Sequence, residues 1–302
     1  MLSRRRFIAI SAALAPSLAL AKGSDLHVET GTALGAKVTL RLYHPQAPRL
    51  AAEAMAEIRR LESVFSLYLE ESALVRLNRD GQLEAPPFEL LDCLTLAGAV
   101  HAASGGRFDP TVQPLWQAEA RARAAGEDLD EAGRAAALAV IGWQGVALSA
   151  EAVRLRPGMA LTLNGIAQGF IADRVADLLA AKGLTRALID TGEIVALPEG
   201  GWPVTLATGG ELELRNRALA SSAPLGMTFG GDGVSSHILD PLTGRPVEPR
   251  WRGITVSAGS AALADALSTA ACLMPDLAAM QAMCNQFADA RLEAAVPAGQ
   301  PG

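Results

Sequence analysis

The chain has 302 residues, 50% of them apolar, with 26 Lys and Arg against 32 Asp and Glu for a net charge of −6. An acidic chain whose only basic run is three N-terminal arginines excludes a nucleic-acid binder working through phosphate contacts, and the apolar fraction excludes a disordered chain. Cys93, Cys272 and Cys284 are odd in number and form no Cys-x-x-Cys, and the four histidines lack zinc-ligand spacing, so neither a disulfide framework nor a zinc centre is indicated.

The N-terminus reads as an export signal. Ser3-Arg4-Arg5-Arg6-Phe7-Ile8 precedes an apolar run to Leu20, and Ala19-Leu20-Ala21 has the small-x-small form of a cleavage site. The run is too short to span a membrane. Its arginine pair followed by x-Phe-Ile resembles a twin-arginine (Tat) signal, which exports folded proteins. The expectation is a signal over 1–21, a periplasmic protein, and one globular unit over 22–296.

Residues 37–43 alternate with Val38, Leu40 and Leu42 inward, which predicts a strand. Over 49–65, Leu50, Ala54, Ile58, Leu61 and Phe65 recur at helical spacing. A second helix is expected over 88–103, ended by Gly105-Gly106, and a third over 119–140 with a break near Gly126. The apolar run 160–163 reads as a short strand, Asn164-Gly165 as a turn, and 167–182 as a helix with Gly183 beyond its end. Strands are expected over 186–190 and 194–197 around the turn Thr191-Gly192-Glu193, then over 212–221, 226–229 and 254–257. A helix over 263–274 follows, and 297–302 are expected to be a disordered tail. Strands and helices mix without regular βαβ alternation, which points to an α+β fold.

The most informative stretch is Ala264-Asp265-Ala266-Leu267-Ser268-Thr269-Ala270-Ala271. Asp265 and Thr269 are four residues apart and share a helical face. A carboxylate and a hydroxyl pointing the same way are hard oxygen ligands of the kind Mg2+ takes, with water and phosphate completing its shell. The plainer reading gives Asp265 a helix-dipole role and Thr269 a packing role. Leu161-Thr162-Leu163-Asn164-Gly165-Ile166-Ala167-Gln168-Gly169 reads as strand, turn and helix start, where small residues and free N–H groups admit phosphate, or simply as a tight turn. Gly105-Gly106-Arg107-Phe108-Asp109-Pro110-Thr111-Val112 suits a flat heterocycle, or a C-cap and an Asp-Pro turn. His237, ahead of Asp240-Pro241-Leu242-Thr243-Gly244, suits a general base, a phosphate partner or a structural role.

Taken in chain order, six segments resemble the FAD:protein FMN transferases, the ApbE-type flavin transferase family. They are Thr30-Gly31-Thr32; Phe65-Ser66-x-Tyr68 with Ser72 and Leu77-Asn78; Gly105-Gly106-x-Phe108-Asp109-Pro110-Thr111-Val112; Asn164-Gly165-Ile166-Ala167-Gln168-Gly169; Ser236-His237-Ile238-Leu239-Asp240-Pro241 through Pro246; and Ala264-Asp265-Ala266-Leu267-Ser268-Thr269-Ala270. They span about 28–275.

The resemblance implies an α+β fold of mixed sheets and packed helices, with an FAD and Mg2+ site in a cleft between two closely joined lobes. It implies Mg2+-dependent cleavage of FAD, transfer of FMN to a Thr or Ser hydroxyl of an acceptor protein, and release of AMP. Asp265, Thr269 and the backbone carbonyl of Gly165 match the metal ligands, and Ser268 stands where some members have a further Asp. Thr30, Tyr68, Arg107, Phe108, Asp109, Thr162, Gln168 and Leu239 match FAD-binding positions. His237 matches a histidine near the reacting phosphate, with Asp265 counted beside it in the catalytic machinery.

Three positions depart from the family pattern: Thr30 where Met is frequent, Thr162 where Asp is frequent, and Gln168 where Lys or Glu is frequent. With Asp190-Thr191-Gly192-Glu193-Ile194 and the Tat-like signal, the chain is similar to the NosX-type branch. Members of that branch serve nitrous oxide reductase maturation by flavinylating a membrane-bound, periplasm-facing, NosR-like electron-transfer protein. The rival expectations are an FAD pyrophosphatase using water as acceptor, and an FAD-binding carrier without transfer activity.

Overall fold

A computed structural model describes residues 26–229 and 233–299; the expected signal over 1–21 lies outside the described residues. Strands β1 (Leu26–Ala33) and β2 (Ala36–Tyr43) form a hairpin through Leu34 and Gly35, both at positive φ. Val38, Leu40 and Leu42 are fully buried, as alternation on a half-buried strand requires. Helix α1 (Ala47–Phe65) buries Leu50, Ala54, Ile58, Leu61 and Phe65. After α2 (Ala73–Asp80), capped by the Ser72 hydroxyl, come β3 (Gln82–Glu84) and α3 (Phe88–Ala103). Helices α4 (Gln113–Ala124) and α5 (Glu131–Leu138) replace the expected helix over 119–140, with the break at Gly126 and a new start at the Asp130 cap.

Next come β4 (Val146–Leu148), β5 (Ala152–Leu155), α6 (Ala167–Ala181), β6 (Ala187–Asp190), β7 (Ile194–Ala196), β8 (Trp202–Thr205), β9 (Glu211–Leu214) and β10 (Arg217–Ser222). The chain continues through β11 (Leu239–Asp240), β12 (Arg245–Pro246), β13 (Trp251–Ala258), α7 (Ala261–Ala271), α8 (Leu277–Cys284) and β14 (Arg291–Pro297).

Seven strands form the main sheet in the order β1-β2-β6-β7-β10-β13-β14, with every neighbour antiparallel. Its middle strands have both faces covered, and the sequence shows how. Along β6, β7 and β10, alternate residues feed two separate cores. Ala187, Ile189, Val195, Ala218 and Ala220 join the large core, which includes residues of α1, α3, α6 and α7. Leu188, Ile194, Ala196 and Leu219 face the other way, onto a small core closed by the β8–β9 hairpin. A third core, Leu115, Ala137, Phe229 and Leu239, joins α4 and α5 to Phe229 and the start of β11. Each fully buried Leu or Ile contributes roughly 1.5–3 kcal/mol, so the large core dominates the fold. The α+β class expected from the sequence is the class observed.

The structure corrects several expected elements. Residues 160–163 form no strand. Instead the Asn78 side chain takes a strand partner's place, donating to the Leu161 carbonyl at 2.8 Å and accepting from its N–H at 2.7 Å. Residues 226–229 carry only an isolated bridge, Thr228 to Ser236. The strand expected over 212–221 is two strands, broken at Asn216 with φ 45°, a conformation Asn tolerates. The chain does not fall free at residue 297: β14 runs to Pro297, opposite Trp251, and the Ala298 N–H donates to the Arg250 carbonyl at 2.8 Å. Residues 300–302 lie outside the described residues. Among the described residues no helix is long and apolar enough to cross a membrane.

Candidate active site

A cleft of about 240 Å3 lies where α6, α7, the β6–β7 turn and the end of β10 meet the segments 107–116 and 237–241. One wall therefore belongs to the large core and the other to the third core. Phe108, Trp116, Leu239 and Pro241 supply apolar surface, and Asp265, Thr269, Glu193 and His237 supply polar groups. Apolar walls with a few polar groups are the usual make-up of a small-molecule site.

Helix α7 carries the carboxylate–hydroxyl pair. Asp265 is 3% exposed, and its Oδ2 accepts the Gly169 N–H at 3.3 Å. Burial raises its carboxyl to about 7. The helix-dipole role at the start of α7 belongs to another residue: Asp173 of α6 accepts from the N–H groups of Ala261 and Ala262, at 2.7 and 2.9 Å, and from the Ser260 hydroxyl at 2.7 Å. Asp265 sits a turn further in and is left for the cleft. Thr269 follows one turn later, its Oγ1 3.4 Å from the Ser222 hydroxyl, which is 2.7 Å from Ser268 Oγ. Ser268 is fully buried and also donates to the Asp265 carbonyl.

Gly165 completes this corner. A Cβ there would lie 3.0 Å from Thr269 Oγ1 and 3.3 Å from Phe108, so only glycine leaves the space beside the Thr269 hydroxyl open. Glu193, in the β6–β7 turn, brings a second buried carboxylate whose Oε2 has no hydrogen-bond partner. Burial, and then the Asp265 and Asp190 charges, push its carboxyl well above the usual range.

His237 is held from the main chain. Its Nδ1 lies 2.8 Å from the Met227 carbonyl, which can only accept, so Nδ1 carries the proton and Nε2 the lone pair. Burial lowers its pKa below 6.5, opposed by that bond, so the ring is held neutral. Ser236 fixes the loop: its hydroxyl donates to the Pro224 carbonyl at 2.6 Å and accepts the Ile238 N–H at 3.0 Å.

Of the residues singled out in the sequence, Arg107, Phe108, Asp109, Thr162, Gly165, Gln168, His237, Leu239, Asp265 and Thr269 all line this one cleft. Asp109 is largely committed to the fold, because its Oδ1 accepts from both the N–H and the hydroxyl of Thr111. Arg107 Nε donates to the Leu273 carbonyl at 3.1 Å, just past α7. Thr30 and Tyr68 are not among the lining residues. Thr30 lies on the edge strand β1, paired with Thr39, and Tyr68 is 59% exposed. Sequence reasoning missed Glu193, Ser222, Gln113 and Trp116 as site residues. Glu193 was visible only within the 190–194 motif, and the other three carry no spacing signal.

Among the described residues no cluster of three or more His, Cys, Asp or Glu side chains could hold a metal. A carboxylate, a hydroxyl and an open backbone position are instead the sparse, hard-oxygen set that suits Mg2+ with a phosphate ligand. The open corner at Gly165 and the orphaned Glu193 oxygen fit such an ion.

The pattern of the ApbE family matches residues 34–295. The chain belongs to the ApbE family. The FAD:protein FMN transferase of Treponema pallidum (strain Nichols) is 30% identical over 280 residues, covering 78% of this chain and 75% of its own. That of Klebsiella pneumoniae (strain 342) is 28% identical over 241 residues, 74% of each chain. The apo crystal structure of Pseudomonas stutzeri flavinyl transferase ApbE superposes with a TM-score of 0.75 at 27% identity, covering 87% of this chain and 88% of its own. An ApbE protein of Thermotoga maritima has the same fold, with a TM-score of 0.77 at 24% identity over 85% and 90% of the two chains. Within this ApbE fold, the cleft gathers the residues of four of the six motifs noted in the sequence.

Proposed function

We propose that the chain is an Mg2+-dependent FAD:protein FMN transferase acting on a Ser or Thr hydroxyl of an acceptor protein. The observation that carries this reading is the convergence, in one cleft, of Asp265 and Thr269 beside the bare backbone of Gly165 with a neutral His237 whose Nε2 is free to accept a proton. Membership of the ApbE family and the activity named for its relatives support it.

The acceptor oxygen attacks the FMN-side phosphorus of the FAD diphosphate, and the bond from that phosphorus to the bridging oxygen breaks. AMP leaves with the bridging oxygen, and the hydroxyl proton passes to His237 Nε2. When bound, Mg2+ neutralises the diphosphate charge. Asp265, Thr269 and the Gly165 carbonyl would hold it. Phe108, Trp116 and Leu239 offer apolar surface to a flat ring system.

The finer proposal follows the NosX-type likeness: a periplasmic enzyme, exported through a Tat signal, that flavinylates a membrane-bound NosR-like acceptor in support of nitrous oxide reductase maturation. Replacing Arg4 and Arg5 together by Lys is then expected to block export, and normal periplasmic accumulation would refute that part.

The transfer itself is tested by incubating the purified protein with FAD, Mg2+ and an acceptor domain, then reading flavin fluorescence on the denatured acceptor in a gel. A fluorescent acceptor band lost with EDTA is expected. AMP release without a band supports the pyrophosphatase, and FAD retained without AMP release supports the carrier.

A further inference from the structure

Glu193 is the buried carboxyl in the cleft that the chemistry above leaves without a task. It is 8% exposed and sits on the β6–β7 turn, an element separate from the α7 pair. A hydrogen bond from the Ser221 backbone orients its carboxylate, yet Oε2 is buried with no partner. Such an oxygen is costly unless something outside the protein satisfies it.

Two features narrow what that is. The first is its company: Glu193 and Asp265 are buried carboxyl groups on separate elements that line the same cleft. The second is a neighbouring void of about 20 Å3 lined by Asp190, Glu193, Thr205 and Ser221. One water fits there, but a neutral molecule leaves Glu193 held as the protonated acid. A cation satisfies Oε2 and lets both carboxyls ionise.

We propose that Glu193 is a second carboxylate of the divalent-cation site, supplying an oxygen and a negative charge beside those of Asp265. This rests on the cation reading of Asp265 and Thr269 given above. The site then presents two carboxylates, one hydroxyl and one backbone carbonyl, a set that charges the ion's shell while leaving room for phosphate oxygens.

The test uses the purified full chain without FAD. Mn2+ is titrated in, and free Mn2+ is read by electron paramagnetic resonance for the wild type, Glu193→Gln and Asp265→Asn. Glu193→Gln is expected to weaken Mn2+ binding by about tenfold or more, and Asp265→Asn to abolish it. Thermal melting gives a second readout. The upward shift of Glu193→Gln with Mg2+ is expected to be smaller than that of the wild type. Wild-type Mn2+ binding and an undiminished Mg2+ shift in Glu193→Gln, with binding lost in Asp265→Asn, overturn the role of Glu193 and leave the Asp265–Thr269 reading standing. Wild-type binding in both variants overturns the cation reading itself, and this proposal with it.

Discussion

Gly169→Ala tests whether the α6–α7 contact sets the geometry of the cleft. A Cβ on Gly169 would overlap the Ala261 carbonyl oxygen and lie 2.5 Å from its carbon and 2.7 Å from the Ala262 nitrogen. All three are main-chain atoms, so no side-chain rotation relieves the clash, and the helices must part by about 1 Å to restore ordinary contact. The Asp173 bonds to the Ala261 and Ala262 N–H groups, at 2.7 and 2.9 Å, lie across this same contact and are stretched by the same movement. Overpacking of this kind costs about 1–3 kcal/mol. The gain in helix propensity from Gly to Ala is at most about 1 kcal/mol, and less here, because Gly169 is in the first turn of α6. The balance is a net loss, expected to lower the melting temperature by several degrees, at roughly 2–4 °C per kcal/mol for a chain of this size. The Gly169 N–H also holds Asp265 Oδ2 at 3.3 Å, so the carboxylate shifts with the helices. A displacement near 1 Å at a reacting centre costs up to about 100-fold in rate. Scanning calorimetry and the in-gel flavin assay read the two effects. A variant with unchanged melting temperature and full transfer activity would refute the argument.

Three further perturbations probe other parts of the site. Thr269→Val keeps the shape and removes the hydroxyl; transfer at limiting Mg2+ is expected to fall at least about tenfold and to recover partly at high Mg2+, and an unchanged Mg2+ dependence would count against the ligand assignment. Asn78→Leu leaves both the N–H and the carbonyl of Leu161 unpaired, with an expected loss of about 2–4 kcal/mol in urea unfolding; no change in the midpoint would mean that the loop is held some other way. For His237 the folded pKa lies below 6.5, so the unfolded chain binds the proton more readily. Its contribution to stability is complete above pH 6.5 and is lost as pH falls from there through the lowered folded value. His237→Gln is expected to flatten that acid-side slope and to abolish transfer; parallel stability–pH curves for the two proteins would sink the buried-neutral assignment.

The helices α1, α3 and α6 were legible because one face of each carries a continuous apolar stripe or a clear glycine stop, as with Leu50, Ala54, Ile58 and Leu61 or with Gly183. The run at 160–163 was not, because a short apolar segment looks alike whether a strand or a side-chain amide satisfies its backbone, and Asn78 lies 83 residues away. The Asp265–Thr269 pair was legible from spacing along one helix. Glu193 was not, because its position depends on how β6 and β7 turn beside α7, and no local period encodes that. Thr30 and Tyr68 came from motif likeness alone; Thr30 lies on the edge strand β1 and Tyr68 on an exposed loop, and neither is among the residues lining the cleft.

The acceptor that fixes the proton on His237 is a peptide carbonyl. Any side chain at position 227 that keeps the same chain path preserves it, so the tautomer is insensitive to the identity of its neighbour. The Gly169 N–H that steadies Asp265 has the same character. An alanine scan of the cleft will therefore under-report how the two groups are controlled. Amide-to-ester replacement at residue 169, which deletes the N–H donor to Asp265, or at residue 228, which weakens the Met227 carbonyl as an acceptor, is the substitution that reaches them.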